Sequence, residues 1–156
     1  MLRAFHKAFL KNASLRLLIL GEGQLRPQLE AQIAETFPGL SPVQLLGNQP
    51  NPGDYMAHAA AFVSSSQVEG FGNVMIEALA TGVPVIATDA PFGSAEILEG
   101  GQYGQIVPRY DENALAEALL ANNYPVTQAA RQQRARQFSA ETLLPVFLEQ
   151  YKSLIE

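Results

Sequence analysis

Two carboxylates eight positions apart, Glu69 and Glu77, flank a Gly70-Phe71-Gly72 turn in the run V-E-G-F-G-N-V-M-I-E-A-L-A-T-G, Val68 to Gly82. A carboxylate accepts hydrogen bonds from two adjacent hydroxyls, which suits the diol of a ribose or a hexose. Upstream, Ala60–Ser64 reads as a buried strand, and downstream an apolar run reads as a helix. Strand, glycine turn and helix in that order aim backbone N–H groups and a helix N-terminus at one spot, which favours an anion. Acceptors for hydroxyls beside donors for phosphate describe a sugar-nucleotide site. Glu77 stands between Ile76 and Ala78 in an otherwise apolar helix. A bare buried charge is too costly, so its side chain is expected either at the helix edge, toward a cleft, or with a hydrogen-bond partner. The bland alternative makes Glu77 an exposed helix residue and Glu69 a loop charge.

Other candidate chemistries are weaker. Gly21-Glu22-Gly23 follows a strand and permits close approach to a phosphate. It lacks the third glycine of a dinucleotide fingerprint and the lysine of a P-loop, so a tight turn explains it equally well. Ser64-Ser65-Ser66 has no nucleophile-elbow surroundings and reads as polar punctuation after a strand. His6 and His58 have no second ligand at metal spacing and read as structural or exposed. Asp89 and Glu96 follow a strand and open a turn of helix, and each can cap or face a ligand. No D-x-D pair occurs, so no protein-held metal is expected at a donor phosphate.

The composition sets the bounds. The 156 residues suit one domain with a real core, with 47% apolar and 16% charged residues. A net charge of −5 argues against a nucleic-acid surface, which needs clustered Lys and Arg. The one basic trio, Arg131, Arg134 and Arg136, lies on a Gln-rich helix and reads as a solvated face. The absence of cysteine excludes disulfides, thiol catalysis and Cys-ligated zinc, and fits a reducing compartment. No apolar run approaches the roughly 20 residues of a membrane span.

The elements that must position these residues alternate. Leu2, Phe5, Phe9 and Leu10 predict an amphipathic helix over the first dozen residues, with Met1 inside its pattern, so the chain is expected to begin mid-domain. Strands are expected at Leu15–Leu20, Val43–Leu46, Ala60–Ser64, Val83–Thr88 and about Gly104–Val107. Between them come a helix from Arg26 to Phe37 burying Leu29, Ile33 and Phe37, a short helix capped by Asp54, the Glu77 helix and a helical piece at Ala95–Leu98. A helix from Asp111 to Ala121, a turn at Asn122–Pro125 and two closing helices follow. The last, over 140–156, carries Leu144, Phe147, Leu148, Tyr151 and Leu154 as an apolar stripe, with Pro145 as a new first turn or a kink. Strands apolar on both faces alternating with helices predict an α/β fold: a Rossmann-like parallel sheet covered by helices on both faces. Ligands then bind beyond the strands' carboxyl ends, where Gly21–Gly23, the Gly47 loop, Glu69–Asn73 and the Ala90–Glu96 loop converge.

The segment S-S-Q-V-E-G-F-G-N-V-M-I-E-A-L-A-T-G-V-P-V-I-A-T-D resembles the donor-site signature of family 4 retaining glycosyltransferases with the GT-B fold, also called group 1. L-R-L-L-I-L-G-E-G-Q-L-R and S-A-E-I-L-E-G-G-Q-Y-G-Q-I-V-P extend the likeness, from Leu2 to about Leu120, along the family's C-terminal donor-binding domain. The resemblance implies transfer of a sugar from a nucleotide-sugar, such as a UDP- or GDP-sugar, to an acceptor hydroxyl with retained configuration. No cofactor or metal is implied. Glu77 would hold the ribose, and Glu69, as the catalytic-site carboxylate, would lie by the transferred sugar. N–H groups around Gly72, Asn73 and Val74, in the turn with Gly70 and Phe71, would hold the diphosphate. Gly21, Gly23 and the loop from Gly47 would complete the donor site. The leaving phosphate would be stabilised by basic side chains and helix dipoles.

The chain departs from the family in three places. The family's Arg and Lys, on a strand and loop just before the opening helix, are not in it. Neither is the N-terminal acceptor domain, with its His near the sugar, and Phe92-Gly93-Ser94-Ala95-Glu96 replaces the usual Gly-Pro-x-Glu form. The expectation is a single donor-binding domain that lacks its first strand and partner domain and has no catalysis of its own. The implied location is cytoplasmic, peripheral to the inner membrane in the full-length protein. A non-catalytic nucleotide-binding or interaction module of the same fold is the alternative. A sugar-nucleotide epimerase fits the Glu-Gly-Phe-Gly spacing less fully.

Overall fold

The computed structural model describes residues 1–156 apart from Ser41, Asn122 and Glu156, and the backbone alone at Ile155. The order is α1 (Leu2–Lys11), β1 (Leu17–Leu20), α2 (Arg26–Thr36), β2 (Val43–Gly47), α3 (Pro52–His58), β3 (Phe62–Ser64), α4 (Asn73–Thr81), β4 (Val85–Thr88) and α5 (Ser94–Ile97). A short helical turn at Glu99–Gly101, β5 (Gln105–Val107), α6 (Glu112–Ala121), α7 (Gln128–Arg136) and α8 (Ala140–Ile155) complete it. The expected Asn122–Pro125 turn lies partly outside the described residues, as does the last residue of the expected 140–156 helix.

All strand pairs are parallel, as an alternating βα chain requires. The expected single sheet is, however, divided in two: β1 with β2, and β3-β4-β5. Pairing stops because no described strand lies between β1 and β3. Within the larger sheet the two-residue period is clear. Val85 and Ala87 face a core with Met75, Leu79 and Ile97, while Ile86 faces a second core with Ala4, Val107, Leu115 and Ala118. All four residues of β4 are buried, which is the central strand's signature. A third core, of Leu2, Phe5, Phe37 and Val43, lies over the smaller sheet.

Several local expectations need correction. α2 buries none of its own residues: Leu29 and Ile33 are half-buried, because α2 covers only two strands. Phe37, just past its end, is the buried anchor and packs against Phe5, Phe9 and His6. Leu10 is exposed despite its place in the apolar pattern. α3 starts at Pro52, since proline is pre-set for a first turn. Asp54 therefore lies inside the first turn, where it accepts a hydrogen bond from Asn51 Nδ2 at 2.7 Å instead of capping the helix. The stripe of α8 is exposed throughout, from Leu148 at 47% to Leu154 at 83%. The helix runs unbroken through Pro145, its sixth residue. No helix among the described residues is long and apolar enough to cross a membrane.

The basic trio is the largest correction. Arg131 is 7% exposed and clamps two carbonyls, donating from Nε to Gly82 O at 2.8 Å and from Nη1 to Val126 O at 2.5 Å. Gly82 is the left-handed C-cap of α4, so Arg131 satisfies a carbonyl at the end of the Glu77 helix. Burial holds its guanidinium below the ordinary arginine value, ahead of an opposing effect of Tyr124. Arg134 donates to Ile97 O and Glu96 O and stacks over Phe138 and Tyr103. Only Arg136 is the solvated residue expected. The α7 sequence gave no hint of this, because free carbonyls at the ends of other helices leave no mark on the helix that meets them.

Removing the Arg131 clamp leaves a buried carbonyl unpaired, so Arg131→Ala should lower stability by about 2–4 kcal/mol, read from the urea midpoint. Arg136→Ala should leave that midpoint unchanged. A second prediction concerns α1 and α6. Glu112 bonds Lys7 at 3.1 Å and Arg3 at 2.5 Å. The Lys7 hydrogen bond, and then the nearby Arg3, hold the Glu112 carboxyl below its ordinary value of 4.5. A carboxyl lowered in the folded state stabilises fully above its unfolded value and loses that contribution as pH falls through the folded one. Thermal melts of Glu112→Gln and wild type should therefore differ at pH 7 and converge as the pH is lowered below 4.5.

Candidate functional site

The strands end at one edge, and their turns lock together in pairs. Gly21, at φ 112°, donates its N–H to Gly47 O at 2.7 Å, closing the ends of β1 and β2. Gly47 has φ 70°, and a Cβ there would sit 2.7 Å from the Glu22 carboxylate, itself paired to Arg26. On the other sheet, Gly93 has φ 108°, and a Cβ on it would lie 2.0 Å from Phe71 O. The Phe71 ring meets Phe138 edge-on at 5.8 Å. The Glu-Gly-Phe-Gly turn is thus held from both sides, by the backbone of the Ala90–Glu96 loop and by the ring at the end of α7. Ser64–Ser66 act as the expected punctuation: Thr88 Oγ1 donates to Ser66 O at 2.6 Å.

Gly72 is the N-cap of α4 at φ 91°, and neither a side-chain cap nor an acidic residue stands in the first turn. The first N–H groups of α4, at Asn73 and Val74, therefore keep their donor capacity, with the positive end of the helix dipole behind them. One turn on, Val74 and Glu77 lie on the same side of the helix, three residues apart. Both line a cavity of about 560 Å³, facing Gly21, Asn48, Gln49 and Tyr55. Glu77 is exposed, at the helix edge, as its apolar neighbours required. Gln49 is fixed by its own bonds, donating to Leu46 O at 2.7 Å and accepting from Tyr55 Oη at 3.2 Å.

The structure brings some of the predicted residues together and leaves others apart. Gly21, Val74 and Glu77 share the cavity, which begins one residue past Gly47. Gly70, Phe71, Gly72 and Asn73 form the turn that starts α4 without lining it. Glu69 is half-buried in that turn, outside the cavity that holds Glu77. Gly23 lines a separate cavity of about 210 Å³ with Glu22 and Arg26. Neither Gly23 nor Gly70 has a positive φ or a close neighbour, so neither is conformationally required. Gln49 and Tyr55 were passed over in the sequence. The available signal was an amide and an aromatic six residues apart after a glycine-ended strand. His58 bonds Asp54 O and His6 packs on Phe37, both structural. Among the described residues no three His, Cys, Asp or Glu side chains come together as a metal site.

Residues 1–122 match the sequence model of the family described as "Glycosyl transferases group 1". Over 105 residues the chain is 40% identical to the N-acetylgalactosamine-N,N'-diacetylbacillosaminyl-diphospho-undecaprenol 4-alpha-N-acetylgalactosaminyltransferase of Campylobacter jejuni, covering 67% of this chain and 28% of that one. Among solved structures, a variant of Staphylococcus aureus TarM in complex with fondaparinux, alpha-GlcNAc-glycerol and UDP superposes with TM-score 0.80 at 26% identity, covering 94% of this chain and 31% of that one. A glycosyltransferase from Rickettsia africae shares the fold with TM-score 0.83 at 23% identity, covering 99% and 44%. The chain thus spans less than half the length of each. Its architecture is that of a GT-B C-terminal domain, and with the family match over residues 1–122 the chain belongs to the group 1 glycosyltransferases.

Proposed function

We propose that the chain is the nucleotide-sugar-binding domain of a retaining, metal-independent glycosyltransferase, inactive as these 156 residues alone. In the reaction the bond from the sugar's anomeric carbon to the donor phosphate breaks. A bond to an acceptor oxygen forms on the same face, and the acceptor hydroxyl's proton goes to the phosphate oxygen freed as the nucleoside diphosphate leaves. The observation that carries this reading is Glu77 in one cavity with Gly21 and Val74, one turn from the uncapped start of α4. Glu77 accepts from the ribose hydroxyls, and the N–H groups of Gly72, Asn73 and Val74 take the diphosphate. Asn48 and Gln49 flank the base, and Glu69 lies toward the transferred sugar. The UDP held by the TarM structure supports a nucleotide donor. An acceptor-binding N-terminal domain, with the remaining cations, completes the enzyme, which works in the cytoplasm.

No Lys or Arg lines the Glu77 cavity among the described residues, so the diphosphate is held by neutral donors and binding is weak. Titration calorimetry with UDP, GDP and ADP should show one of them binding, and Glu77→Ala should weaken it about tenfold or more, the loss of a charge-assisted hydrogen bond. The 2′,3′-dideoxy form of that nucleotide, with neither ribose hydroxyl, should bind wild type and mutant alike. Equal binding of the ribonucleotide by the mutant rejects the ribose assignment. Gly93→Ala should abolish binding while the protein still folds, since its Cβ displaces Phe71 and the turn that starts α4. A Gly93→Ala variant that binds normally would separate that turn from the donor site.

A further inference from the structure

A second cavity opens at the carboxyl edge of the larger sheet, on the α6 side. It measures about 170 Å³ and lies where β3, β4 and β5 end, against the first residues of α1 and α6. Ala4 and Leu115, both from the core on that side, form its apolar part. It shares no lining residue with the Glu77 cavity. Pockets for drug-sized ligands begin at roughly 300 Å³, so this one has room for a single ring and not for a nucleotide.

Its polar groups keep unused hydrogen-bonding capacity. Arg109 donates from Nη1 to Gln67 O at 3.3 Å and has no ion pair among the described residues, so most of its five N–H donors are unengaged. Asp111 caps α6 through Oδ1, which accepts from the N–H groups of Asn113 at 3.0 Å and Ala114 at 2.9 Å. Its Oδ2 has no partner among the described residues. Ser66 Oγ accepts from Ser64 Oγ at 3.3 Å and keeps its own hydrogen to donate. Tyr110 completes the wall. It holds a left-handed backbone at φ 63°, which is uncommon for a bulky side chain, and it is 72% exposed. Burial therefore does not account for a tyrosine where glycine would sit without strain. Arg109 covers one face of its ring, with Cζ 5.9 Å from the centroid, and the opposite face is open.

These groups specify the occupant. The charged side chains that line the cavity cancel, Arg3 and Arg109 against Asp111 and Glu112, so an anion gains nothing from entering. An apolar ligand would strip water from Arg109 and Asp111 and return no hydrogen bond. What fits is a neutral ring that both donates and accepts and has one apolar face. We propose that the cavity binds one uncharged pyranose ring, its hydroxyls accepting from Arg109 and Ser66 and donating to Asp111 Oδ2 while its C–H face packs on Tyr110. Gln67 precedes Glu69 by two residues, so the bound sugar stands beside the turn that carries Glu69. On the function proposed above, on which this step alone rests, the occupant is a residue of a saccharide acceptor.

The test is an NMR titration of the isotope-labelled whole chain with the methyl glycosides of glucose, galactose and N-acetylglucosamine, and with inorganic phosphate. At least one glycoside should move the amides of residues 65–67 and 109–111 saturably, and phosphate should move none of them. Tyr110→Gly keeps the turn, because glycine adopts φ 63° freely, and should weaken that binding about tenfold or more. Tyr110→Phe keeps the ring and should bind within about twofold of the parent. The shifts should appear with and without UDP, so a chain that binds the sugar and no nucleotide keeps the site and loses only the acceptor assignment. The proposal is overturned if none of the three glycosides gives a saturable shift or if the shifts fall at Gly21 and Glu77 instead. Binding of phosphate at the same amides overturns it too, as does a Tyr110→Gly chain that binds as tightly as the parent.

Discussion

Two neighbouring side chains of α1 belong to different cores. Ala4 packs with Ile86, Val107, Leu115 and Ala118 over the three-stranded sheet, and Phe5 with Phe37 and Val43 over the two-stranded one. The sheets share no hydrogen-bonded strand pair among the described residues, so this bilateral burial, helped by Leu119, holds them in one orientation. Small residues make it possible. Ala4 and Ala8 are fully buried, which brings the helix backbone close to α6, and Lys7 and Arg3 then reach Glu112 from the rim. The cavity edge inherits its geometry from that contact. Gly21 and Gln49 stand on one sheet's side of the cavity and Val74 and Glu77 on the other's.

Within each half, the turns are fixed by close backbone approach. Gly47 leaves room for the Glu22 carboxylate, and Gly93 leaves room for a carbonyl that any side chain would strike. The start of α4 is defined by an αL glycine with no competing side-chain cap. Its far end is held by a buried arginine 49 residues downstream in the chain. The Glu77 helix is therefore clasped at both ends, by Phe71 against Gly93 at one and by Arg131 at the other.

The sequence was most legible where chemistry and periodicity coincide. Glu77 could be placed at a cleft because its neighbours are apolar, and the run V-P-V-I-A-T could be read as a buried strand because both of its faces are apolar. The parallel α/β class and the glycine turns followed from the same local signals. What escaped were long-range matters. Arg131 and Arg134 looked solvated because their partners are backbone carbonyls, which every residue has. The division of the sheet could not be read from β1 itself, which is composed as an interior strand, since composition does not report whether a neighbour is present. Glu69 and Glu77, joined by spacing, are kept apart by the turn between them, which positions one in the cavity and the other outside it.

The clasp between α1 and α6 also has a bearing on how the molecule forms. Lys7 and Asn113 bond across 106 residues, whereas β1 with β2, and β3 with β4 and β5, are joined by short crossovers. Loop-closure entropy rises with the logarithm of separation, by about 0.6 kcal/mol for each doubling. Each sheet with its own helix is therefore a local event, and the joining of the two waits for the ends of a long loop to meet. Until the α1–α6 contact forms, the core over the three-stranded sheet stands open along the side that Ala4 covers.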